Sequence, residues 1–444
     1  MQKRLSPPQV LVLGFLSVIL IGTFLILLPF SCTKECSLID AFFTATSAVC
    51  VTGLIVKDTP NDFTLFGQLI ILILIQIGGL GYMTSATIIA LAVGKRIGIG
   101  ERLVMREELQ VLSLEGIVKF TKRILQFTLL FELAGTLILT MRFLIDYDFK
   151  DAFLYGLFHT ISAFNNAGFS LFSNNLIHYR GDIVVSLTVP ILIIIGGIGF
   201  VVITELYLLI RKEINRVSQH TKIVLFTTAI LILGSAILMY IFEISNPKSF
   251  GIMTLKERIL ATFFAVVAPR TAGFNTIDYS TLKIGTLFLS IILMFIGASP
   301  GGTGGGIKTS TFAIVVTGLA ATIRGREDVV LFKRRVPTEI VSKSFLLVTL
   351  AVAFCTLSTL FIVVTQETQY LPTAFEVTSA FGTVGLSLGD GGVRSLSALF
   401  SPIGKLVISF TMFVGRLGPL TLAFAVTRQV TERFKYPEGR VIIG

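Results

Sequence analysis

Four short segments of this 444-residue chain have residue types and spacing suited to ion chemistry. They run over 41–53, 156–168, 261–273 and 373–385, and each ends in a glycine. Aligned on that glycine they match without a gap. Phe43, Phe158, Phe263 and Phe375 share one column, and Ser47, Ser162, Val267 and Ser379 another. Ala48, Ala163, Ala268 and Ala380 come next, and Leu54, Phe169, Phe274 and Leu386 follow the glycine. The glycines Gly53, Gly168, Gly273 and Gly385 are 115, 105 and 112 residues apart, the signature of an internal repeat.

Before them stand Cys50, Val51 and Thr52; Asn165, Asn166 and Ala167; Arg270, Thr271 and Ala272; and Gly382, Thr383 and Val384. These supply no ring of carboxylates of the kind a calcium-type filter requires. What they share is backbone. Carbonyl oxygens converging on one axis can replace the hydration shell of an alkali cation. A glycine in each loop allows backbone angles that side chains exclude, so that successive carbonyls point inward. Neutral carbonyls favour a monovalent ion, and potassium sheds its water more easily than sodium. The expected ligands are therefore potassium at the carbonyls of these four segments.

The elements that must position such loops are visible in the composition. Only 14% of residues are charged and 53% are hydrophobic, with a mean hydropathy of +0.86. A soluble domain carries about 25% charged residues, which excludes a soluble enzyme, a disordered chain or a disulfide scaffold. Eight stretches, near 10–29, 66–93, 124–141, 183–210, 223–242, 284–323, 344–364 and 406–427, are long and apolar enough for a bilayer. Lys3, Arg4 and the connections 94–123, 211–222, 324–343 and 428–440 hold 23 of the 37 basic residues and 10 of the 26 acidic ones. That is +13, against −2 for the rest, and it places both termini in the cytoplasm of a multi-pass cell-membrane protein. The overall +11 is then topology, and no nucleic-acid partner is expected.

Each loop segment is too short to span and lies between two spans, so it enters from outside and turns back. Irregular backbone at that depth is tolerated only where it is buried in protein or lines water. The fold expected is an all-α polytopic membrane protein. Eight membrane helices form four pseudo-symmetric helix–pore loop–helix repeats around one ion pore, over 1–93, 94–211, 212–323 and 324–444. A second glycine column supports it: Gly78, Gly196, Gly297 and Gly415 recur at 118, 101 and 118 residues. Small-residue helix packing explains these glycine clusters alone, but not the loop column.

The stretch 284–323 holds 40 residues with one charge, Lys308. As one helix it would reach about 60 Å, twice the roughly 30 Å hydrocarbon core. Its centre runs Gly297, Ala298, Ser299, Pro300, Gly301, Gly302, Thr303, Gly304, Gly305, Gly306 and cannot hold a helix. Two half-helices joined by an intramembrane loop over 297–310 are expected. The loop imitates a phosphate-binding motif, but Ile307 intervenes before Lys308 and no strand precedes it. Lys308 and Arg416 are expensive in a bilayer and mark a cavity or a partner. With the loop they form a candidate gate beneath the filter.

Thr383-Val384-Gly385 resembles the start of a potassium-channel filter. The four loops and the glycine-rich sixth segment resemble the Trk/Ktr/HKT superfamily of potassium transporters over essentially the full length. The stretch 268–276 is specific within it. The resemblance implies potassium uptake, a homodimer with one pore per subunit, a cytosolic ring of nucleotide-binding regulatory subunits, and sodium as an activator. It also supports Lys308 and Arg416 as gating residues.

The function expected is the ion-conducting subunit of a potassium uptake system, with no cofactor in this chain. A sodium- or proton-coupled symporter on the same pore is the alternative. An enzyme is not expected: three histidines (His159, His178, His220) and a few intramembrane acids are scattered. Arg270 beside the filter should point behind its loop and pair with a carboxylate such as Glu376. Glu132 reads as a helix–helix hydrogen bond or a proton or sodium site, and Glu205 as a cytoplasmic boundary. Cys32 and Cys36 are close enough in sequence to pair, but two unpaired small residues are the preferred reading.

Overall fold

The computed structural model describes residues 5–92, 97–109, 116–389 and 393–427. The basic segment 428–440, Lys3 and Arg4 lie outside them, as does part of the 94–123 connection.

Four helices are long and apolar enough to cross a membrane: Pro7–Ile26, Ile117–Phe143, Gln219–Glu243 and Thr338–Gln366. At most 39% of each apolar window is buried, and the outward faces carry residues such as Leu133, Ile237 and Leu357. An apolar face left uncovered on four long helices is the surface a bilayer accepts.

A short helix follows each long one: Leu38–Val49, Phe149–Phe164, Leu255–Val267 and Tyr370–Gly382. These are buried among the others, and Phe43, Phe158 and Phe375 are fully inaccessible. Local sequence sets their starts. Ser37 accepts from the Asp40 amide, and Thr254 with Glu257 forms a capping box. Such caps satisfy amides that a helix end otherwise orphans.

After each short helix comes a broken pair. Leu65–Leu80 with Tyr82–Ile88 bends by 99°, Ile183–Gly197 with Phe200–Ile210 by 99°, and Pro402–Leu417 with Pro419–Val426 by 97°. The third stretch is divided into Ile284–Phe295 and Thr309–Ile323. Interruption was expected only in that stretch. The other three break as well, because Gly81, Gly199 and Gly418 adopt φ of +88°, +95° and +85°. Those angles exclude a continuing right-handed helix and suit glycine. Up to seven spans result if each bent pair counts as one. Outside the helices, one two-residue hairpin, Val330–Leu331 with Arg334–Arg335, is the only paired strand among the described residues.

Hydrogen bonds join the connections around the short helices. Ser173 Oγ donates to Asp58 Oδ2 at 2.7 Å, and the Leu176 amide to the Asn275 carbonyl at 3.1 Å. Ile55 and Ser395 exchange bonds of 2.9 and 3.0 Å, and Lys405 pairs with Asp40 at 2.7 Å.

Candidate functional site

The four short helices end at the glycine loops with one recurring backbone geometry. Val51, Asn166, Thr271 and Thr383 have φ of +50°, +57°, +74° and +50°, and two residues later Gly53, Gly168, Gly273 and Gly385 have +88°, +71°, +71° and +93°. Each loop thus turns into the left-handed region twice.

Serine of the aligned column holds the turn. Thr52, Ala167 and Val384 donate their amides to the carbonyls of Ser47, Ser162 and Ser379 at 2.7–2.8 Å. Ser47 Oγ and Ser379 Oγ accept from the amides of Gly53 and Gly385, at 3.1 and 3.0 Å. Ser162 Oγ instead donates to the Phe169 carbonyl at 2.8 Å. Where the column has Val267, Ala268 accepts from Ala272 and Gly273. The column was visible in the sequence, but its role as the loop's clamp was not.

The glycines touch in sequence around a closed cycle. A Cβ on Gly53 would meet the Ala167 carbonyl oxygen, one on Gly168 that of Ala272, one on Gly273 that of Val384, and one on Gly385 that of Thr52, all under 3.0 Å. All four glycines line one cavity, with Asp58 and Asp278 also in its wall. The C-terminal ends of the short helices, which carry partial negative charge, meet at this ring.

The first residue of each triplet turns away. Cys50 is buried in the apolar core, and Gly382 packs against the Met294 carbonyl. Asn165 Nδ2 donates to Gln76 Oε1 at 2.9 Å and Glu132 Oε1 at 3.2 Å, giving Glu132 a role in holding the second loop. Arg270 points behind its loop, but the pairing expected with Glu376 does not form. Its guanidinium donates to Thr228 Oγ1 at 3.4 Å, while Glu376 accepts from Ser387 Oγ at 2.6 Å and from the Ser397 amide at 2.9 Å. Glu376 lies toward Ser387 and Ser397, whose hydroxyls satisfy it. Glu205 accepts from the Ser218 amide and Thr221 Oγ1 at 2.9 and 2.7 Å, in the turn before the next long helix. Cys32 and Cys36 are free thiols.

Directly beneath the ring lies the 297–308 loop. Gly305 donates its amide to Thr383 Oγ1 at 2.9 Å, and Thr303 Oγ1 donates to the Phe164 carbonyl at 3.2 Å. The amides of Ser299 and Thr303 bond the carbonyls of Gly197 and Gly196 at 2.9 and 3.1 Å, and that of Gly306 bonds Gly415 at 3.2 Å. Gly301 accepts from Phe200 at 3.0 Å; Pro300 O faces Gly199, and Gly302 N donates to Ser299 O at 3.2 Å. Close approach explains the even-segment glycines. A Cβ on Gly78, Gly196 or Gly415 would strike the carbonyl of Val49, Phe164 or Phe381, and one on Gly297 that of Gly305.

Lys308 Nζ donates to the Gly304 carbonyl at 2.6 Å. Arg416 donates to the carbonyls of Thr303 and Gly78, and to that of Gly79 at 3.3 Å. One guanidinium therefore ties the fourth broken helix to the loop and to the first broken helix.

A bilayer-length helical bundle enclosing a ring of backbone carbonyls defines a membrane cation transport protein, and the chain belongs to the TrkH cation transport protein family, matching over residues 7–434. It is thus a transporter and not an enzyme. It is 40% identical to the Ktr system potassium uptake protein B of Bacillus subtilis, over 99% of this chain and 97% of that one. It is 38% identical to the protein of that name from Vibrio alginolyticus, over 98% and 95%. It is 35% identical to the potassium/sodium uptake protein NtpJ of Enterococcus hirae, over 100% and 98%. The fold matches the crystal structure of the potassium transporter TrkH from Vibrio parahaemolyticus with a TM-score of 0.73 at 18% identity, covering 96% of this chain and 86% of that one.

Proposed function

We propose that this chain is the potassium-conducting membrane subunit of an uptake system, with four pseudo-symmetric repeats and eight spans around one pore. Potassium passes dehydrated through the carbonyls of 50–53, 165–168, 270–273 and 382–385. The single observation that carries this reading is the closed cycle in which each loop glycine faces the next loop's carbonyl. The four loops come together as one ring in which glycines face backbone carbonyl oxygens.

The gate is the loop from Gly297 to Lys308, latched by Arg416. Its hydrogen bonds to Thr383, Phe164, Gly196, Gly197 and Gly415, close beneath the glycine ring, support this reading. The relatives' names, potassium uptake among them, support potassium as the ion. Both termini are read as cytoplasmic. The assembly is a homodimer with a cytosolic nucleotide-binding ring and sodium as an activator, on the resemblance and on the "Ktr system" of the relatives' names.

The test is rubidium and potassium flux into liposomes. Arg416→Ser frees three carbonyls from the latch and should raise flux. Unchanged velocity in both Arg416→Ser and a loop deletion within 299–307 would refute the gate.

A second reading, sodium- or proton-coupled symport on the same pore, is favoured by Glu132, a membrane acid with no cationic partner within ion-pair distance among the described residues. Flux that follows membrane potential at fixed sodium and pH separates conduction from symport.

A further inference from the structure

The two cations of the gate share their cavity with an acid from outside the pore-forming elements. Helix Ile99–Glu108 belongs to the cytoplasmic-side connection, and its last residue folds back against the break at Gly81. Glu108 Oε1 accepts from the Met83 amide at 3.0 Å, and Oε2 from the Thr84 amide at 2.9 Å and Thr84 Oγ1 at 3.1 Å. The carboxylate is thereby held at the first turn of Tyr82–Ala92. It opens onto a cavity of about 70 Å³ lined also by Gly301, Gly304, Lys308 and Arg416.

Lys308 and Arg416 donate only to carbonyls, and among the described residues neither forms an ion pair with a carboxylate. Two positive charges beside a cation path raise its barrier, and in a confined, partly desolvated cavity charge interactions are stronger than in bulk water. Glu107 also lines the cavity, but Glu108 alone is fixed in place there by three hydrogen bonds.

We propose that Glu108 is the counter-charge of the inner gate: a positioning residue that lowers the barrier set by Lys308 and Arg416, so that potassium crosses once the loop moves. The proposal rests on the gated-pore reading above. Gating cations without a fixed acid would slow the open pore as well as the closed one; with Glu108 beside them they act as a latch.

The experiment is rubidium flux in liposomes with four variants, with thermal stability of the purified protein as the folding control. Glu108→Gln should cut flux about tenfold at unchanged stability, corresponding to about 1.4 kcal/mol on the barrier. Glu108→Asp keeps the charge but shortens the cap, and should stay nearer wild type. Adding Lys308→Gln to Glu108→Gln should return most of the lost flux. The proposal is overturned if Glu108→Gln transports normally, if Asp is as impaired as Gln, or if removing Lys308 restores nothing. Arg416→Ser alone keeps the two ideas apart: raised flux there upholds the gate even where the Glu108 variants overturn its counter-charge.

Discussion

At each of the four loop glycines a side chain would have to occupy space that the next loop's backbone already fills. Serine at Gly53, Gly168, Gly273 or Gly385 adds the left-handed penalty of ~1–2 kcal/mol for an L-residue. It also pushes Cβ toward the carbonyl of Ala167, Ala272, Val384 or Thr52. A distortion of that size, if it falls on potassium and not on sodium, is about tenfold in discrimination. Competitive rubidium and sodium flux should show that loss in each variant, to different degrees because the four loops differ. Wild-type discrimination in all four would remove the carbonyl-ring reading. The aligned glycines were readable in the sequence because a backbone requirement leaves glycine in every copy. The partners of Arg270 and Glu376 were not, because residue type does not say which of several hydroxyls lies within reach. Thr228, Ser387 and Ser397 are ordinary membrane-helix or loop residues until folding brings them near.

Among elements, the 297–308 loop and the capped short helices carry separate expectations. Shortening the loop by Gly302–Gly304 removes the Thr303 contacts to Phe164, Gly196 and Arg416, and should raise flux in the liposome assay. Thr254→Ala should cost about 1 kcal/mol of stability through the lost cap, read as a lower melting temperature. Its partner Glu257 is held below the usual carboxylate range, first by the Thr254 amide and further by the Thr254 hydroxyl and Arg180. A lowered folded-state value means this stabilisation is full above the ordinary carboxylate range and fades as pH falls through the lowered one. The melting difference between wild type and Glu257→Gln should therefore be present at neutral pH and shrink below about pH 4. The broken third stretch was legible because its glycines, Pro300 and excess length all pointed the same way. Gly81, Gly199 and Gly418 were not, since a cluster of glycines in an apolar run fits a closely packed straight helix as well as a 97–99° bend.

On the scale of the whole molecule, the proposed pore takes its direction of flux from the electrochemical gradient across the membrane. A conducting pore lets the membrane potential supply about 2.3 kcal/mol per charge per 100 mV, enough for roughly fifty-fold accumulation. Tracer rubidium in liposomes should follow an imposed inside-negative potential at fixed sodium and proton concentrations. Accumulation that ignores the potential and tracks a sodium or proton gradient would favour symport through the same ring. Apolar stretches and basic connections made the membrane class readable from composition alone. The cyclic order of the loops was not readable, because it depends on contacts between segments more than a hundred residues apart.

The ring also bears on which substitutions such a chain can accept. A clash between two side chains can be repaired by changing the second one. Here the obstacle to each glycine is a neighbour's carbonyl oxygen, which every amino acid carries, so no compensating substitution exists. The four glycines are locked by backbone, and Gly382 by the Met294 carbonyl in the same way, whereas Cys50, Asn165 and Arg270, whose side chains leave the ring, meet no such limit at their own position and are three different residues.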